Sequence, residues 1–443
     1  PYIVFDDADI DSAIEGLVDS IWFNQGQVCC AGSRLLVHEP IAKKFYKKLK
    51  SRMNRLRIGD PLDKSIDMGA IVDPKQLNAV TKLVNKNAHE GEVYQPNIKM
   101  PTKGCYYPPT LITEMEPSAS LMQEEIFGPV LVSTTFRTPN EAIALANNSK
   151  YGLAASIWTE NINLALGIAP KLECGVVWIN SVNQFDAAAG FGGKRESGFG
   201  REGGLEGLSG YVQPRIKTTV LKKQKRYKRP ISTSYSADSL DKTLKLYIGG
   251  KQVRPDSGYS RPVFGPKSFI THVSDGNRKD IRNAVDAAHK AEHWGKSSGH
   301  LKAQILYYLA ENLDQRSAEF VESIVLSTGA KKEGAKKEVE VSISRLFYYA
   351  AWADKFDGAV HDVPIRGVTL AMNEPLGVVG VICPEENPLL GFISLAAPLI
   401  AMGNTSVLIP SASSPNIAAN FYQILETSDV PAGVLNIITG KEE

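Results

Sequence analysis

A short polar loop contains the residues of this chain that are best suited to covalent chemistry. Residues 24–34 run Asn-Gln-Gly-Gln-Val-Cys-Cys-Ala-Gly-Ser-Arg, so two adjacent cysteines are flanked by small side chains. A thiolate attacks carbonyl carbon well, and the thiohemiacetal that it forms with an aldehyde can lose hydride to become a thioester. Gly26 and Ala31 keep bulk away from the sulfur, and a backbone N–H can stabilise the developing oxyanion. The loop therefore suits a cysteine that forms a thioester.

The two cysteines also fit a structural role. Most unpaired cysteines are small core residues, and composition alone favours that interpretation for Cys29 and Cys30. The five cysteines are too sparse and irregular for a disulfide framework or a zinc site, and they fit a reducing compartment. The seven histidines show no metal-ligand spacing, so we expect no metal site. The choice between a core and a catalytic cysteine depends on the surrounding sequence.

The elements around the loop alternate between helix and strand. Residues 6–22 have a helical apolar face, and Asp6 and Asp7 are predicted to supply the oxygens at its N-terminus. The loop is followed by a predicted strand at residues 35–37 and a helix from Ile41 to about Arg55. Alternation of this kind predicts an α/β domain with a largely parallel sheet.

The second half begins a new set of elements. The sequence predicts a hairpin (246–251), three amphipathic helices (279–294, 300–313 and 318–326) and a strand–helix–strand unit (377–384, 389–402 and 405–409). The β-branched run at 377–384 is typical of a strand covered on both faces. Between the halves, residues 222–243 combine low hydrophobicity with high charge, which predicts an exposed basic linker.

Composition excludes several classes of protein. The 443 residues include 43% hydrophobic ones and a net charge of +2, so no broad phosphate-binding face and no nucleic-acid partner are expected. The apolar runs are too short to span a bilayer, so no membrane span is expected. The chain starts at Pro1 within a predicted strand, without a methionine, which we interpret as a fragment of a longer protein. We expect it in the cytoplasm.

Residues 24–34 resemble the active-site signature of the aldehyde dehydrogenase superfamily. Four further segments resemble other motifs of that superfamily in the expected order: residues 1–10, 124–130, 151–156 and 191–202. One motif would be a weak signal, whereas five in register cover almost all of residues 1–221. This resemblance outweighs the structural interpretation of the cysteines.

The resemblance implies specific roles. Cys29 and not Cys30 is the nucleophile, because the reactive position is the second after Gln27. The N–H of Cys29 supplies one oxyanion donor. Glu125 accepts hydrogen bonds from the nicotinamide ribose of NAD or NADP, and Phe127 packs beside the nicotinamide. The alternative for Glu125 is a solvated loop carboxylate.

Two catalytic parts of the superfamily fall outside this chain. The general base is a glutamate that precedes the position of Pro1, and the asparagine that completes the oxyanion hole belongs to the N-terminal half of a unit. Without a base, the thiol of Cys29 stays mostly protonated at neutral pH. We therefore expect the fragment alone to be inactive.

The second half resembles the N-terminal half of the same superfamily, with informative departures. Residues 374–384 resemble the first cofactor-domain strand, but Glu385-Glu386-Asn387-Pro388 stands where the family has Trp-Asn-Phe-Pro. Glu386 takes the place of the oxyanion asparagine. Ile409 replaces a ribose-binding lysine, and Ala412 replaces the neighbouring glutamate. An isoleucine side chain donates no hydrogen bond, so these losses argue against dinucleotide binding by the second unit.

The order of the halves implies two tandem units, as in family 16 aldehyde dehydrogenases. The expected fold is α/β and aldehyde dehydrogenase-like, with a catalytic half-unit on a parallel sheet followed by a partial Rossmann-like half-unit. The predicted domains are the catalytic domain of the first unit (1–205), an oligomerisation-strand tail (206–221), the basic linker (222–243) and the degenerate N-terminal part of the second unit (244–443).

The function implied is oxidation of an aldehyde to a carboxylic acid with NAD(P), through a cysteine thiohemiacetal and thioester. The alternative is a non-catalytic aldehyde dehydrogenase-like scaffold or regulatory protein, which the degenerate second unit and the basic linker motivate. The expected partners are a small-molecule aldehyde and either a second copy of the chain or the tandem unit of the same chain.

Overall fold

The computed structural model describes residues 1–212 and 243–440, which divide into two compact units. The first unit contains the described residues up to 212 together with Val360–Ala371, and the second contains the remainder. Each unit has its own buried core. The predicted linker, apart from residue 243, and most of the predicted tail lie outside the described residues. Within the described ranges, no helix has the length and apolarity that crossing a bilayer requires.

The first unit is built on a seven-stranded sheet. Its strands are β1 (Tyr2–Val4), β2 (Arg34–His38), β3 (Glu92–Tyr94), β4 (Thr110–Thr113), β5 (Val130–Phe136), β6 (Tyr151–Gly152), β7 (Ala154–Trp158), β8 (Val176–Ile179) and β9 (Lys194–Arg195). The sheet has the order β3-β4-β5-β2-β1-β7-β8, while β6 and β9 form a separate pair. Only β3 and β4 pair antiparallel within the sheet. The predicted α/β class with a largely parallel sheet is confirmed.

Strand β1 divides the core of this unit into two halves. Tyr2 and Val4 belong to one buried cluster, and Ile3 and Phe5 belong to the other. Successive side chains of a strand point to opposite faces, so each face of the sheet is covered by its own layer. All four side chains are at most 2% exposed.

Seven helices of the first unit's described residues connect or follow these strands. They are α1 (Ile10–Ile21), α2 (Glu39–Met53), α3 (Pro74–Asn87), α4 (Ser120–Gln123), α5 (Pro139–Asn147), α6 (Ile162–Ile168) and α7 (Gly204–Leu208). Short 3-10 turns follow some of them, at Phe23–Gly26, Ala88–Glu90, Ala169–Lys171 and Ser209–Tyr211. The predicted oligomerisation-strand tail (206–221) therefore begins in helical structure, and its part beyond Val212 lies outside the described residues.

The predicted N-terminus of the first helix was wrong. The helix begins at Ile10 and not near residue 6, and Asp9 is its cap, accepting from the N–H groups of Asp11 and Ser12 at 3.1 and 3.4 Å. A cap must immediately precede the first helical residue, which excludes Asp6 and Asp7. Asp7 instead accepts a hydrogen bond from the Thr159 hydroxyl at 2.7 Å.

The later strands form several smaller sheets. They are β10 (Leu246–Ile248), β11 (Lys251–Val253), β12 (Ser260–Phe264), β13 (Phe269–Ser274), β14 (Ala359–His361), β15 (Thr369–Ala371), β16 (Val378–Ile382), β17 (Thr405–Ile409) and β18 (Leu435–Ile437). The main sheet of the second unit has the order β11-β10-β18-β17-β16, in which β16, β17 and β18 run parallel. Strands β10 and β11 form the predicted hairpin.

The helices of the second unit include three that were not predicted from the sequence, at residues 332–352, 415–420 and 422–427. The described helices are α8 (Arg278–Lys290), α9 (Gly299–Gln315), α10 (Ser317–Thr328), α11 (Lys332–Trp352), α12 (Pro388–Ala401), α13 (Pro415–Asn420) and α14 (Tyr422–Thr427), with a 3-10 turn at Glu292–Lys296. The three predicted amphipathic helices and the strand–helix–strand unit are confirmed with shifted ends. Helix α11 was missed because its buried face contains small and polar residues such as Ala335, Glu338 and Ser342, which give a weak apolar pattern.

The predicted coverage of β16 on both faces was also wrong. None of the five residues of β16 is buried, and the side chain of Ile382 is 70% exposed. The β-branched run reports the preference of these residues for strand geometry. It does not indicate whether other elements cover the two faces of the strand.

Helix α12 receives its N-terminal cap from a distant glutamate. Asn387 precedes the helix but makes no capping hydrogen bond with its side chain. Instead, the carboxylate of Glu338 in α11 accepts from the N–H groups of Leu389 and Leu390 at 2.9 and 3.2 Å. Glu338 is 8% exposed, and burial raises its pKa. This side chain therefore connects two helices of the second unit's core.

We expect Glu338→Ala to destabilise the second unit by about 1–3 kcal/mol, because two buried N–H groups lose their acceptor. Denaturant unfolding measures this change. Glu340→Ala is the matched control, since Glu340 is exposed on the same helix and pairs with Lys336 at 3.6 Å. A loss no larger than that of the control, within about 0.5 kcal/mol, would show that the remote cap contributes nothing.

Candidate active site

The loop before β2 begins with three consecutive residues in left-handed conformation. Asn24, Gln25 and Gly26 have φ angles of 47°, 58° and 71°. Residues other than glycine adopt such angles only where the surroundings hold them there. The Asn24 side-chain amide helps by donating to the carbonyl of Gln27 at 3.0 Å. This local bend turns the chain abruptly from α1 toward the two cysteines.

The two glutamines of the loop anchor it to a neighbouring segment. The side-chain oxygen of Gln25 accepts from the N–H of Gly69 at 3.2 Å, and that of Gln27 accepts from the N–H of Val72 at 3.0 Å. The two glutamine side chains therefore fix the loop to the segment of Gly69 and Val72, which gives both glutamines of the motif a structural role.

The adjacent cysteines occupy opposite environments. Cys29 is exposed, whereas Cys30 is buried and its thiol donates to the side-chain oxygen of Asn183 at 3.3 Å. Burial raises the pKa of Cys30 to about 11. None of the five cysteines, all of which lie in described residues, forms a disulfide. Of the two, Cys29 is the sulfur that a solute can reach.

The segment that contains Glu125 and Phe127 packs directly on the cysteine loop. A side chain on Gly26 would lie 2.2 Å from the carbonyl oxygen of Gly128, so only glycine permits this approach. Phe127 has a φ of 52°, and its carbonyl accepts from the side-chain amide of Gln76 at 3.0 Å. The two sequence-predicted segments are thus in backbone contact.

Topology explains why these segments meet. The cysteine loop precedes β2 and the Glu125 segment precedes β5, and these strands are parallel neighbours. Their amino ends lie at the same edge of the sheet, together with those of β7 and β8. A cleft at this edge is lined by Cys29 and Glu125 among others. Phe127 does not line it, and its side chain is 37% exposed beside the loop.

Several residues that build this site were not assigned a role from the sequence. Arg34 lines the cleft, donates to the carbonyls of Asn148 and Ala146 at 3.1 and 2.6 Å, and has its pKa lowered to about 10, mainly by burial. Because Arg34 is the last residue of the loop motif, its position in the sequence could have indicated that it lies at the site. Asn183, the partner of Cys30, is distant in the chain, so no local pattern indicated it. No cluster of metal-ligating side chains occurs in the described residues.

We expect iodoacetamide near pH 8 to modify Cys29 at least ~10-fold faster than Cys30. A buried thiol with a pKa of about 11 is only about 0.1% thiolate at that pH. Peptide mapping by mass spectrometry at short reaction times gives both rates. Equal rates, or faster modification of Cys30, would contradict the described exposure of the pair.

Comparisons with known proteins support these motifs. The model of the aldehyde dehydrogenase family matches residues 1–217 and 255–443. A mitochondrial benzaldehyde dehydrogenase of Antirrhinum majus is 40% identical over 223 residues, which are 50% of this chain and 42% of that protein. Retinal dehydrogenase 2 of Mus musculus is also 40% identical over 223 residues, covering 50% of this chain and 43% of its own length.

The solved structures that match include an NAD-dependent aldehyde dehydrogenase from Sinorhizobium meliloti. It is 38% identical, with a TM-score of 0.47, and the match covers 48% of this chain and 43% of that one. The chain thus spans less than half the length of the relatives that it matches. Because the family model covers well over half of the residues, this chain belongs to the aldehyde dehydrogenase family.

Proposed function

We propose that the protein containing this chain oxidises an aldehyde to a carboxylic acid with NAD or NADP, and that Cys29 is its nucleophile. The observation that carries the proposal is the contrast within one dipeptide. Cys29 is exposed at a cleft that Glu125 also lines, while Cys30, which borders the same cleft, is buried and its thiol donates to Asn183. A core role for both cysteines does not account for this contrast.

The chemistry follows from the arrangement of the loop. The sulfur of Cys29, as a thiolate, bonds to the aldehyde carbon and gives a thiohemiacetal whose oxyanion the N–H of Cys29 stabilises. The nicotinamide, when bound, supplies the acceptor for the hydride that leaves this carbon. Water then cleaves the thioester and releases the acid and the thiol. The hydrogen bonds of Gln25 and Gln27 fix the loop before substrate binds, which favours a correctly oriented nucleophile.

Glu125 has the properties of a group that accepts hydrogen bonds from sugar hydroxyls. Its side chain is exposed, and its carboxylate makes no hydrogen bond or ion pair with the described residues. Both oxygens are therefore available to a ribose, as an ionised carboxylate is an acceptor only. Phe127, held by the contact of Gly26 with Gly128, would pack against the nicotinamide ring.

Glu90 positions this cofactor segment. Helix α4 immediately precedes Glu124, and its own N-cap residue, Ala119, makes no side-chain hydrogen bond. The carboxylate of Glu90 accepts from the N–H groups of Ser120 and Leu121 at 3.1 and 3.3 Å. Burial by itself raises the pKa of Glu90, but the N–H groups of Ser120 and Leu121, together with the Ser120 side chain and His89, outweigh it and lower the pKa overall. The carboxylate form thus holds the start of the segment.

We further propose that the chain joins the catalytic half of one unit (1–205) to the degenerate N-terminal part of another (244–443), as in family 16 aldehyde dehydrogenases. The two separate stretches that match the family support this arrangement. The tail 206–221 would pair with a second copy or with the tandem unit, and residues 222–243 would link the units. Cysteines without disulfides favour a reducing compartment such as the cytoplasm.

The proposed function predicts that the full-length protein reduces NAD or NADP in the presence of aldehydes such as benzaldehyde. Cys29→Ala should lower kcat by at least ~10³-fold, because the nucleophile is removed. Cys30→Ala is the matched control and should retain activity within about tenfold, since this sulfur is buried. Absorbance of the reduced nicotinamide measures both rates. Wild-type activity no greater than that of Cys29→Ala would favour the scaffold alternative.

The role of Glu90 predicts a different signature. Glu90→Ala in the full-length enzyme should raise KM for the cofactor about three- to tenfold and change KM for the aldehyde little, because only the cofactor segment loses its support. Glu92→Ala removes a nearby exposed carboxylate that pairs with Lys50 at 3.6 Å and should leave both constants unchanged. Equal changes in the two KM values would indicate general destabilisation in place of positioning.

A further inference from the structure

A carboxylate of the second unit occupies the turn that follows β17. One oxygen of Glu385 accepts from the N–H of Ala412 at 2.6 Å. Its other oxygen accepts from the Ser411 hydroxyl at 2.8 Å, from the Ser413 N–H at 3.1 Å and from the Ser413 hydroxyl. Four donors therefore converge on a single side chain.

The turn that binds this carboxylate lies where an open α/β sheet usually binds ligands. Strands β16 and β17 are parallel, and Glu385 and Ser411–Ser413 follow their carboxyl ends. Ligands of such sheets bind in the crevice outside these ends. Successive backbone N–H groups and hydroxyls in a turn are suited to phosphate or sugar oxygens. This turn therefore has the donors of an anion site.

The surrounding structure fixes both partners. The N–H of Cys383 donates to the carbonyl of Ile409 at 2.8 Å, which extends the ladder of β16 and β17 toward Glu385. On the other side of the turn, the guanidinium of Arg261 donates to the carbonyls of Ala412 and Gly440 at 2.8 and 3.2 Å. The turn is thus held from two sides. The carboxylate of Glu385 accepts hydrogen bonds from its N–H and hydroxyl groups, and the guanidinium of Arg261 donates to its carbonyl at Ala412.

A dinucleotide does not fit this arrangement. Its phosphate or ribose oxygens would have to displace Glu385 from every donor of the turn, and its negative charge would meet that of the carboxylate. Ile409 and Ala412 offer no side-chain donor in compensation. The neighbouring carboxylate of Glu386 is exposed and makes no hydrogen bond with the described residues, so the occupation is specific to position 385.

We propose that Glu385 is a tethered anion that fills the Ser411–Ser413 turn and closes it to phosphate-bearing ligands. The second unit then holds its own carboxylate at the position where its fold would hold a cofactor. This inference does not depend on the activity of Cys29, because it concerns only the second unit. The electrostatics agree with it. Burial raises the pKa of Glu385, but the hydrogen bonds from Ser413, Ser411 and Ala412 outweigh burial and lower it overall.

Hydrogen exchange of the full chain, read by mass spectrometry on peptides that contain residues 411–414, tests the proposal. In the wild type, the turn should be protected, and millimolar inorganic pyrophosphate should not change its exchange. In Glu385→Ala, the turn should exchange at least ~10-fold faster, since the N–H groups of Ala412 and Ser413 lose their acceptor. Pyrophosphate should restore part of that protection, because the anion reaches the vacated donors.

Glu386→Ala is the matched control, since it removes the same charge one residue away and should behave as the wild type. Three results would overturn the proposal. The turn could exchange at the same rate in Glu385→Ala as in the wild type, or pyrophosphate could slow its exchange in the wild type as much as in Glu385→Ala. The third result is a turn that exchanges faster in Glu385→Ala but is not protected again by pyrophosphate. If Glu385→Ala increases hydrogen exchange throughout the second unit, the same measurements on Glu385→Gln, which keeps the side-chain length, test the proposal instead. Its turn should again exchange faster and respond to pyrophosphate.

Discussion

The geometry of the candidate active site depends on one backbone-to-backbone contact. Gly26 approaches the carbonyl of Gly128 so closely that any side chain on Gly26 would collide with it. This contact brings the cysteine loop and the cofactor segment together, although each belongs to a different strand connection. The left-handed bend and the hydrogen bonds of Gln25 and Gln27 hold the loop in the position where this contact forms. Local strain is thus offset by contacts that also position the chemistry.

The sequence was informative wherever a pattern is local. Apolar helical faces and the alternation of elements predicted the class of fold, and the resemblance to the superfamily singled out the segments of Cys29 and Glu125, which the structure brings into contact. Caps and distant partners were missed for a physical reason. Asp7 and Asp9 are equally suitable caps by residue type, and only the first residue of the helix decides between them. Glu338 caps a helix at Leu389, which lies 51 residues further along the chain. Side-chain contacts across such separations leave no periodic trace in a single sequence.

Two carboxylates illustrate how environment decides the role of one chemical group. Glu125 in the first unit is exposed and has both oxygens available within the described structure. Glu385 in the second unit also lies near the surface, but four donors of its own chain already occupy its oxygens. The resemblance to the superfamily indicated that Ile409 and Ala412 replace a cofactor-binding lysine and glutamate, and that Glu386 takes the place of the oxyanion asparagine. In the structure, Glu385 and not Glu386 accepts hydrogen bonds from the Ser411–Ser413 turn.

The division of the first unit's core by β1 limits how this sequence can change in length. Tyr2 and Val4 contact one layer, and Ile3 and Phe5 contact the other. Inserting or deleting a single residue in that strand would exchange the two sets and direct each toward a layer shaped for different side chains. The length of this central strand is therefore fixed, and it can accept only replacement of one residue by another of similar shape.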